Sequence, residues 1–113
     1  MSVTIYHNPR CSKSRQTLAL LEENGVEPTI VEYLKDPPSA DTLKSVSKKL
    51  GLRPKDFVRK KEAEFKDLAI DLEDDDALYQ AMNEFPKIIE RPIVVKGSKA
   101  ALGRPPENVL EIL

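Results

Sequence analysis

The sequence predicts an α/β fold: a mixed sheet shared by a β-α-β unit near the N-terminus and a β-β-α unit near the C-terminus, with a helical block inserted between them. Three observations predict it. Two strand-like runs, at Val3 to Tyr6 and Thr29 to Tyr33, are separated by an apolar-striped stretch, the spacing of a right-handed parallel crossover. Residues 39 to about 88 carry helical periodicity and no strand signal. Ile93-Val94-Val95 and Ala100-Ala101-Leu102 then flank a turn.

Each element has its own local cause. Val3-Thr4-Ile5-Tyr6 alternates β-branched with polar or aromatic residues, and Asn8-Pro9 breaks it. A helix is predicted from about Ser12, striped by Leu18, Ala19 and Leu21 and capped at Gly25. Thr29-Ile30-Val31-Glu32-Tyr33 makes the second strand, and Lys35-Asp36-Pro37-Pro38 stops it. Ser39 is a good N-cap for a helix carrying Leu43, Val46 and Leu50, closed by Gly51. Pro54 opens a short helix with Phe57 and Val58. The Asp74-Asp75-Asp76 cluster suits the start of another, with Leu78, Met82 and Phe85 on one face. Ile93-Val94-Val95 is a continuous apolar run, as expected for a strand covered on both faces. Lys96-Gly97-Ser98-Lys99 turns the chain back, Gly103 and Pro105-Pro106 break it, and Val109, Leu110 and Leu113 give a closing helix.

The length of 113 residues suits one domain spanning 1–113, with the insertion at about 39–88. Lys and Arg total 18 against 19 Asp and Glu, a net charge of −1. That balance argues against nucleic acid as a partner, because phosphate binding leaves a basic surplus. No apolar run approaches a membrane span, and the N-terminus lacks the h-region of a signal peptide. A single cysteine cannot form an internal disulfide, so a reducing cytoplasm is the expected compartment.

That cysteine, Cys11, lies in His7-Asn8-Pro9-Arg10-Cys11-Ser12-Lys13-Ser14-Arg15, together with the chain's single histidine. A free thiol with a pKa of about 8.5 is only about 3% thiolate at neutral pH. Three features of this loop should lower the value. Cys11 stands at the predicted helix start, where unpaired N–H groups and the helix dipole favour an anion. His7, if protonated, and Arg10 or Arg15 place positive charge nearby. Ser12 and Ser14 can donate to the sulfur. The same strand-to-helix turn is also a ready anion site. A lone cysteine is more commonly a small buried hydrophobe, but Arg10, Ser12 and Lys13 are not core neighbours.

Other cysteine chemistries fail on spacing. A dithiol oxidoreductase needs C-x-x-C, and here the fourth residue is Ser14. A cysteine phosphatase loop needs C-x5-R, and Thr17 stands where the arginine belongs. One Cys and one His are too few for a zinc site, and Asp71 to Asp76 lacks the glycine of an EF-hand loop. Neither a metal nor a bound cofactor is expected.

His7-Asn8-Pro9-x-Cys11-x-x-Ser14 resembles the active-site loop of the glutaredoxin-coupled arsenate reductases, the ArsC family of thioredoxin-like proteins. The likeness extends through Glu32-Tyr33-Leu34 with Pro37-Pro38, Val58-Arg59-Lys60, Glu90-Arg91-Pro92-Ile93-Val94-Val95 and Gly103-Arg104-Pro105. The resemblance implies that Cys11 is the nucleophile, His7 helps to activate it and Ser14 stabilises the thiolate. It implies that Arg59, Arg91 and Arg104 bind arsenate and the arsenite left on sulfur, with Asn8 in the same substrate-binding set. It implies a thioarsenate intermediate, glutathione as co-substrate, glutaredoxin as the protein partner and a role in arsenic detoxification. A monomer is expected. Thioredoxin-like folds also place a cis proline before the buried strand, so the Arg91–Pro92 bond is expected to be cis.

The plasmid-borne members carry small residues beside the cysteine and a longer C-terminal tail, whereas Arg10 and Lys13 flank Cys11 and this chain stops at Leu113. The likeness is therefore closest to the shorter chromosomal branch. Two other functions fit the same fold: a transcriptional regulator resembling Spx, which binds RNA polymerase, and a general glutathione-dependent thiol reductase. Spx-like proteins usually carry C-x-x-C and need no set of arsenate-binding arginines, so Ser14 and the arginines favour the enzyme.

Overall fold

The computed structural model describes residues 2–113. Strands β1 (Val3–Tyr6), β2 (Thr29–Val31), β3 (Ile93–Lys96) and β4 (Lys99–Leu102) form one mixed sheet in the order β2-β1-β3-β4. β1 runs parallel to β2, with Ile5 opposite Ile30, and antiparallel to β3, with Ile5 opposite Val94. β3 and β4 form the hairpin, Val94 opposite Ala101. Helix α1 (Ser12–Glu23) supplies the crossover between the parallel strands. Helices α2 (Ala40–Leu50), α3 (Ala63–Leu68) and α4 (Asp75–Glu84) fall between β2 and β3 in the chain. This is the α/β, thioredoxin-like architecture that the element order predicts.

The structure divides into two units, residues up to Asp36 together with Arg91–Leu113, and Pro37–Glu90. The first has its core on the sheet: Val3, Ile5, Leu21, Val94 and Val109 are buried together, and Leu18, Val26, Ala101, Ile112 and Leu113 pack against them. Alternation explains β1, because Val3 and Ile5 are buried while Thr4 and Tyr6 are only half-buried. The central position of β3 explains its unbroken apolar run, with Ile93 and Val94 both fully covered.

The second unit is helical. Ser39 caps α2 by accepting from the Thr42 N–H, and Asp74 caps α4 by accepting from the Ala77 N–H, each at 3.1 Å. α2 packs on α4 through Leu43 and Val46 on one side and Leu78, Tyr79 and Met82 on the other. The exposed pairs of Arg53 with Glu73 and Asp75 add little stability, because solvent screens them.

Four details depart from the sequence expectation. β2 stops at Val31 rather than Tyr33, because the Glu32 carbonyl accepts from the Lys35 and Asp36 N–H groups and turns the chain away. The helix at Pro54 is one 3-10 turn, Pro54–Asp56, and Phe57 and Val58 lie beyond it, with Val58 bridged to Ile89. The closing element, Pro106–Ile112, is also 3-10: Pro105 and Pro106 supply no N–H, and its bonds close over three residues, as from Asn108 to Pro105. α3 lies inside the predicted helical block but has no signal of its own in the sequence, because Phe65 is its one buried residue and leaves no apolar stripe to read.

Candidate active site

β1 delivers its chain end to the start of α1. The His7 N–H donates to the Val31 carbonyl at 2.8 Å, continuing the parallel ladder one residue past β1. The loop then folds on itself through two short bonds. The Asn8 carbonyl accepts from the Cys11 N–H, and the Asn8 side-chain oxygen accepts from the Arg10 N–H, both at 3.0 Å. Cys11 has extended backbone angles at the N-cap of α1, and its carbonyl accepts the first helical bond, from Arg15.

Burial pushes the Cys11 thiol pKa up, but the opposing effects outweigh it and hold the thiol below its ordinary value. They are the Ser14 N–H, the positive charge of Arg91, the Lys13 N–H and a hydrogen bond from the Arg91 side chain. The sulfur makes no side-chain bond of strict capping geometry. The two amides nevertheless face it from the first turn, the arrangement that stabilises an anion at a helix start. Cys11 itself is half-buried, so its sulfur can still be reached.

Two parts of the sequence account change here. Neither Arg10 nor Arg15 charges the sulfur: Arg10 is exposed, and Arg15 donates from Nη1 to the Pro9 carbonyl at 2.9 Å. The cation is Arg91, eighty residues later in the chain, with its Nε and Nη1 sealed from solvent. His7 is not a cation either. Burial lowers its pKa, the Glu32 charge opposes that shift and the Arg15 charge adds to it. Its Nδ1 lies 2.7 Å from the Ser14 hydroxyl, which also accepts from the Asn8 N–H at 3.0 Å. With His7 neutral, all three groups are satisfied when Ser14 donates to Nδ1 and the ring proton sits on Nε2. The Ser14 hydroxyl is thus spent on the loop, and Ser14 reaches the sulfur through its backbone.

The cis Arg91–Pro92 bond precedes β3, and a second cis bond joins Arg104 to Pro105. Arg104 Nε donates to the Arg91 carbonyl at 2.7 Å, which fastens the two arginine-proline segments together. Gly103 lies between them. Its N–H donates to the Pro92 carbonyl at 2.8 Å, and an added Cβ would stand 2.6 Å from both Pro92 Cγ and Thr17 Oγ1. Thr17 is itself fixed by donating to the Lys13 carbonyl at 2.8 Å. Neither Thr17 nor this use of Gly103 was legible in sequence, since the contact joins α1 to two distant loops.

His7, Asn8, Cys11, Ser14, Arg91, Pro92 and Arg104 therefore all belong to the sheet-bearing unit. Arg59 belongs to the Pro37–Glu90 unit, where its Nη1 pairs with Glu62 Oε1 at 2.7 Å. Among the described residues no cluster of three or more His, Cys, Asp or Glu side chains could hold a metal. No helix among them is long and apolar enough to cross a membrane.

A thiol at a helix start with a guanidinium on its sulfur, set on this sheet, defines a thioredoxin-like protein of the ArsC class. The profile of the ArsC family matches residues 6–112, and the chain belongs to that family. It is 51% identical to a Haemophilus influenzae protein named arsenate reductase, covering 100% of both chains. An Escherichia coli K12 protein of the same name is 41% identical over 99% of this chain and 81% of its own. A solved structure, arsenate reductase from Vibrio cholerae, superposes with a TM-score of 0.93 at 52% identity, covering 100% of this chain and 98% of that one.

Proposed function

We propose that this protein reduces arsenate to arsenite with Cys11 as its nucleophile. The observation that carries the proposal is the union of the chain's one thiol with the Arg91 guanidinium at the start of α1. Membership of the ArsC family and the names of the relatives supply the substrate. Arsenate is a tetrahedral oxyanion, and a planar, permanently charged guanidinium matches two of its oxygens at once. Arg91 would hold the anion beside the sulfur that attacks it. Arg104, tied to the Arg91 carbonyl, brings a second guanidinium to that segment. Arg59 joins them on the strength of the family resemblance. Asn8 keeps its side-chain amide for the same anion, its oxygen being occupied by Arg10.

The chemistry balances with one cysteine. The Cys11 thiolate forms a bond to arsenic and one arsenate oxygen leaves as water, giving a thioarsenate. Glutathione attacks next. The two sulfurs together lose two electrons to arsenic, which leaves as arsenite while a Cys11–glutathione disulfide remains. Glutaredoxin then takes the glutathione moiety and restores the thiol. His7 and Ser14 serve the thiolate by holding the loop, so that the Ser14 N–H stays on the sulfur.

The test is arsenate-dependent NADPH oxidation in the presence of glutathione, glutathione reductase and glutaredoxin. Oxidation that requires both arsenate and Cys11 is the expected result. A general thiol reductase would instead turn over a small disulfide substrate and ignore arsenate.

A further inference from the structure

The segment Arg104-Pro105-Pro106 is short of donors of its own. Neither proline has an N–H, so the carbonyls beside them depend on groups further along the chain. Asn108 serves two of those carbonyls at once. Its N–H donates to the Pro105 carbonyl and its side-chain Nδ2 to the Arg104 carbonyl, both at 3.0 Å. Asn108 is anchored in turn by the next residue, Val109, which is fully buried in the sheet core with Val3, Ile5, Leu21 and Val94. From the clamped backbone, Arg104 Nε donates to the Arg91 carbonyl at 2.7 Å. Arg91 then places a side-chain hydrogen bond and its charge on the Cys11 sulfur. Core, Asn108, Arg104, Arg91 and sulfur form one connected series, and all of it lies in the sheet-bearing unit.

The Arg104 bond fixes the Arg91 carbonyl only as well as the Arg104 backbone is itself fixed. A backbone left free to sample other conformations must be ordered again each time the bond forms, and that costs free energy. We propose that Asn108 is a positioning residue for the thiol: by clamping the Arg104 backbone, it sets where Arg91 meets the Cys11 sulfur. This role rests on the Arg91–Cys11 contact that carries the proposed function, and it can be read without arsenate. The alternative is local. An asparagine near the start of a 3-10 turn that bonds a preceding carbonyl can stabilise that turn and do nothing else. The two roles part at the sulfur: a local one changes stability alone, whereas a positioning one changes the thiolate as well.

Asn108→Leu keeps the size and neutrality of the side chain and loses its donor, and Asn108→Ala removes the amide outright. Asn108 is half-buried at the edge of its element, so neither change empties the core. The rate of Cys11 alkylation by iodoacetamide is measured against pH, and the urea midpoint beside it. On the rising part of the curve the rate should fall about two- to threefold in both variants, the lower end for one neutral hydrogen bond, and the curve should level off at a higher pH. In an Arg91→Gln background, Asn108→Leu should move the curve no further, while its effect on the urea midpoint persists. A wild-type curve in both variants, whatever their stability, would overturn the positioning role, as would a full shift that persists without Arg91. Arg91→Gln with the wild-type curve overturns the contact on the sulfur, and this role with it.

Discussion

His7 Nδ1 and Ser14 Oγ lie 2.7 Å apart, and both side chains are buried. The pair turns the one histidine of the loop into a neutral strut. Because burial lowers the pKa of His7, the unfolded chain takes up its proton first as the pH falls. The contribution of His7 to stability is therefore complete above about pH 6.5, the ordinary histidine value, and is lost as the pH falls through the lower folded value. Urea midpoints at neutral and mildly acid pH should show the decline in the wild type and a smaller one in His7→Gln. The single imidazole can also be followed by NMR, and a titration midpoint above the ordinary value would refute the assignment.

Ser14→Ala removes the acceptor of the Asn8 N–H and the partner of His7 in one step. Leaving buried polar groups unpaired should cost about 1–3 kcal/mol of unfolding free energy. The Cys11 pKa should rise in the same variant, because the loop that holds the Ser14 N–H on the sulfur loosens. Chemical denaturation and the pH dependence of alkylation measure the two effects. A Ser14→Ala protein with unchanged stability would show the hydroxyl to be dispensable.

Arg91 acts on the sulfur both by charge and by a directed hydrogen bond, and substitutions separate the two. Arg91→Lys keeps the charge and loses the fork; Arg91→Gln loses the charge as well. The alkylation rate of Cys11 follows its thiolate fraction, so in the wild type it should level off at a pH below the free-thiol value of about 8.5. Arg91→Lys should move that curve upward and Arg91→Gln further. Loss of the contact to arsenate should cost about 1.5–3 kcal/mol in kcat/KM for either variant. Wild-type reactivity in Arg91→Gln would remove Arg91 from the site.

The thiol was legible because its signals are local: a strand, a proline break, polar neighbours and a helix start lie within a dozen residues. The cap residues Ser39 and Asp74 were legible for the same reason, since a cap acts within its own first turn. The identity of the cation on the sulfur was not. Arg10 and Arg15 are near Cys11 in sequence, yet their bonds go to the loop itself, and the sheet brings Arg91 instead. The charge state of His7 was missed because it depends on burial, and burial is a property of the packed structure. Family resemblance alone marks Arg59 in the sequence, and its carboxylate partner Glu62 carries no motif.

Gly103 gives the most local test of how the two arginine-proline segments are joined. A methyl group there would stand 2.6 Å from Pro92 Cγ, 2.6 Å from Thr17 Oγ1 and 3.1 Å from Thr17 Cγ2. None of these atoms ends a flexible chain. Pro92 is a ring, and Thr17 is β-branched with its hydroxyl bonded to the Lys13 carbonyl. Gly103→Ala must therefore shift backbone, and the Gly103 N–H bond to the Pro92 carbonyl is the nearest connection to strain. Overpacking of this kind should cost about 1–3 kcal/mol, read from the denaturation midpoint. Arg91 is bonded to Pro92, so the same shift should move the guanidinium and raise the Cys11 pKa. Thr17→Ala in the Gly103→Ala background removes two of the three clashes and should return part of the stability. A Gly103→Ala protein as stable and as reactive as the wild type would show that the contact between α1 and these loops does not hold the site.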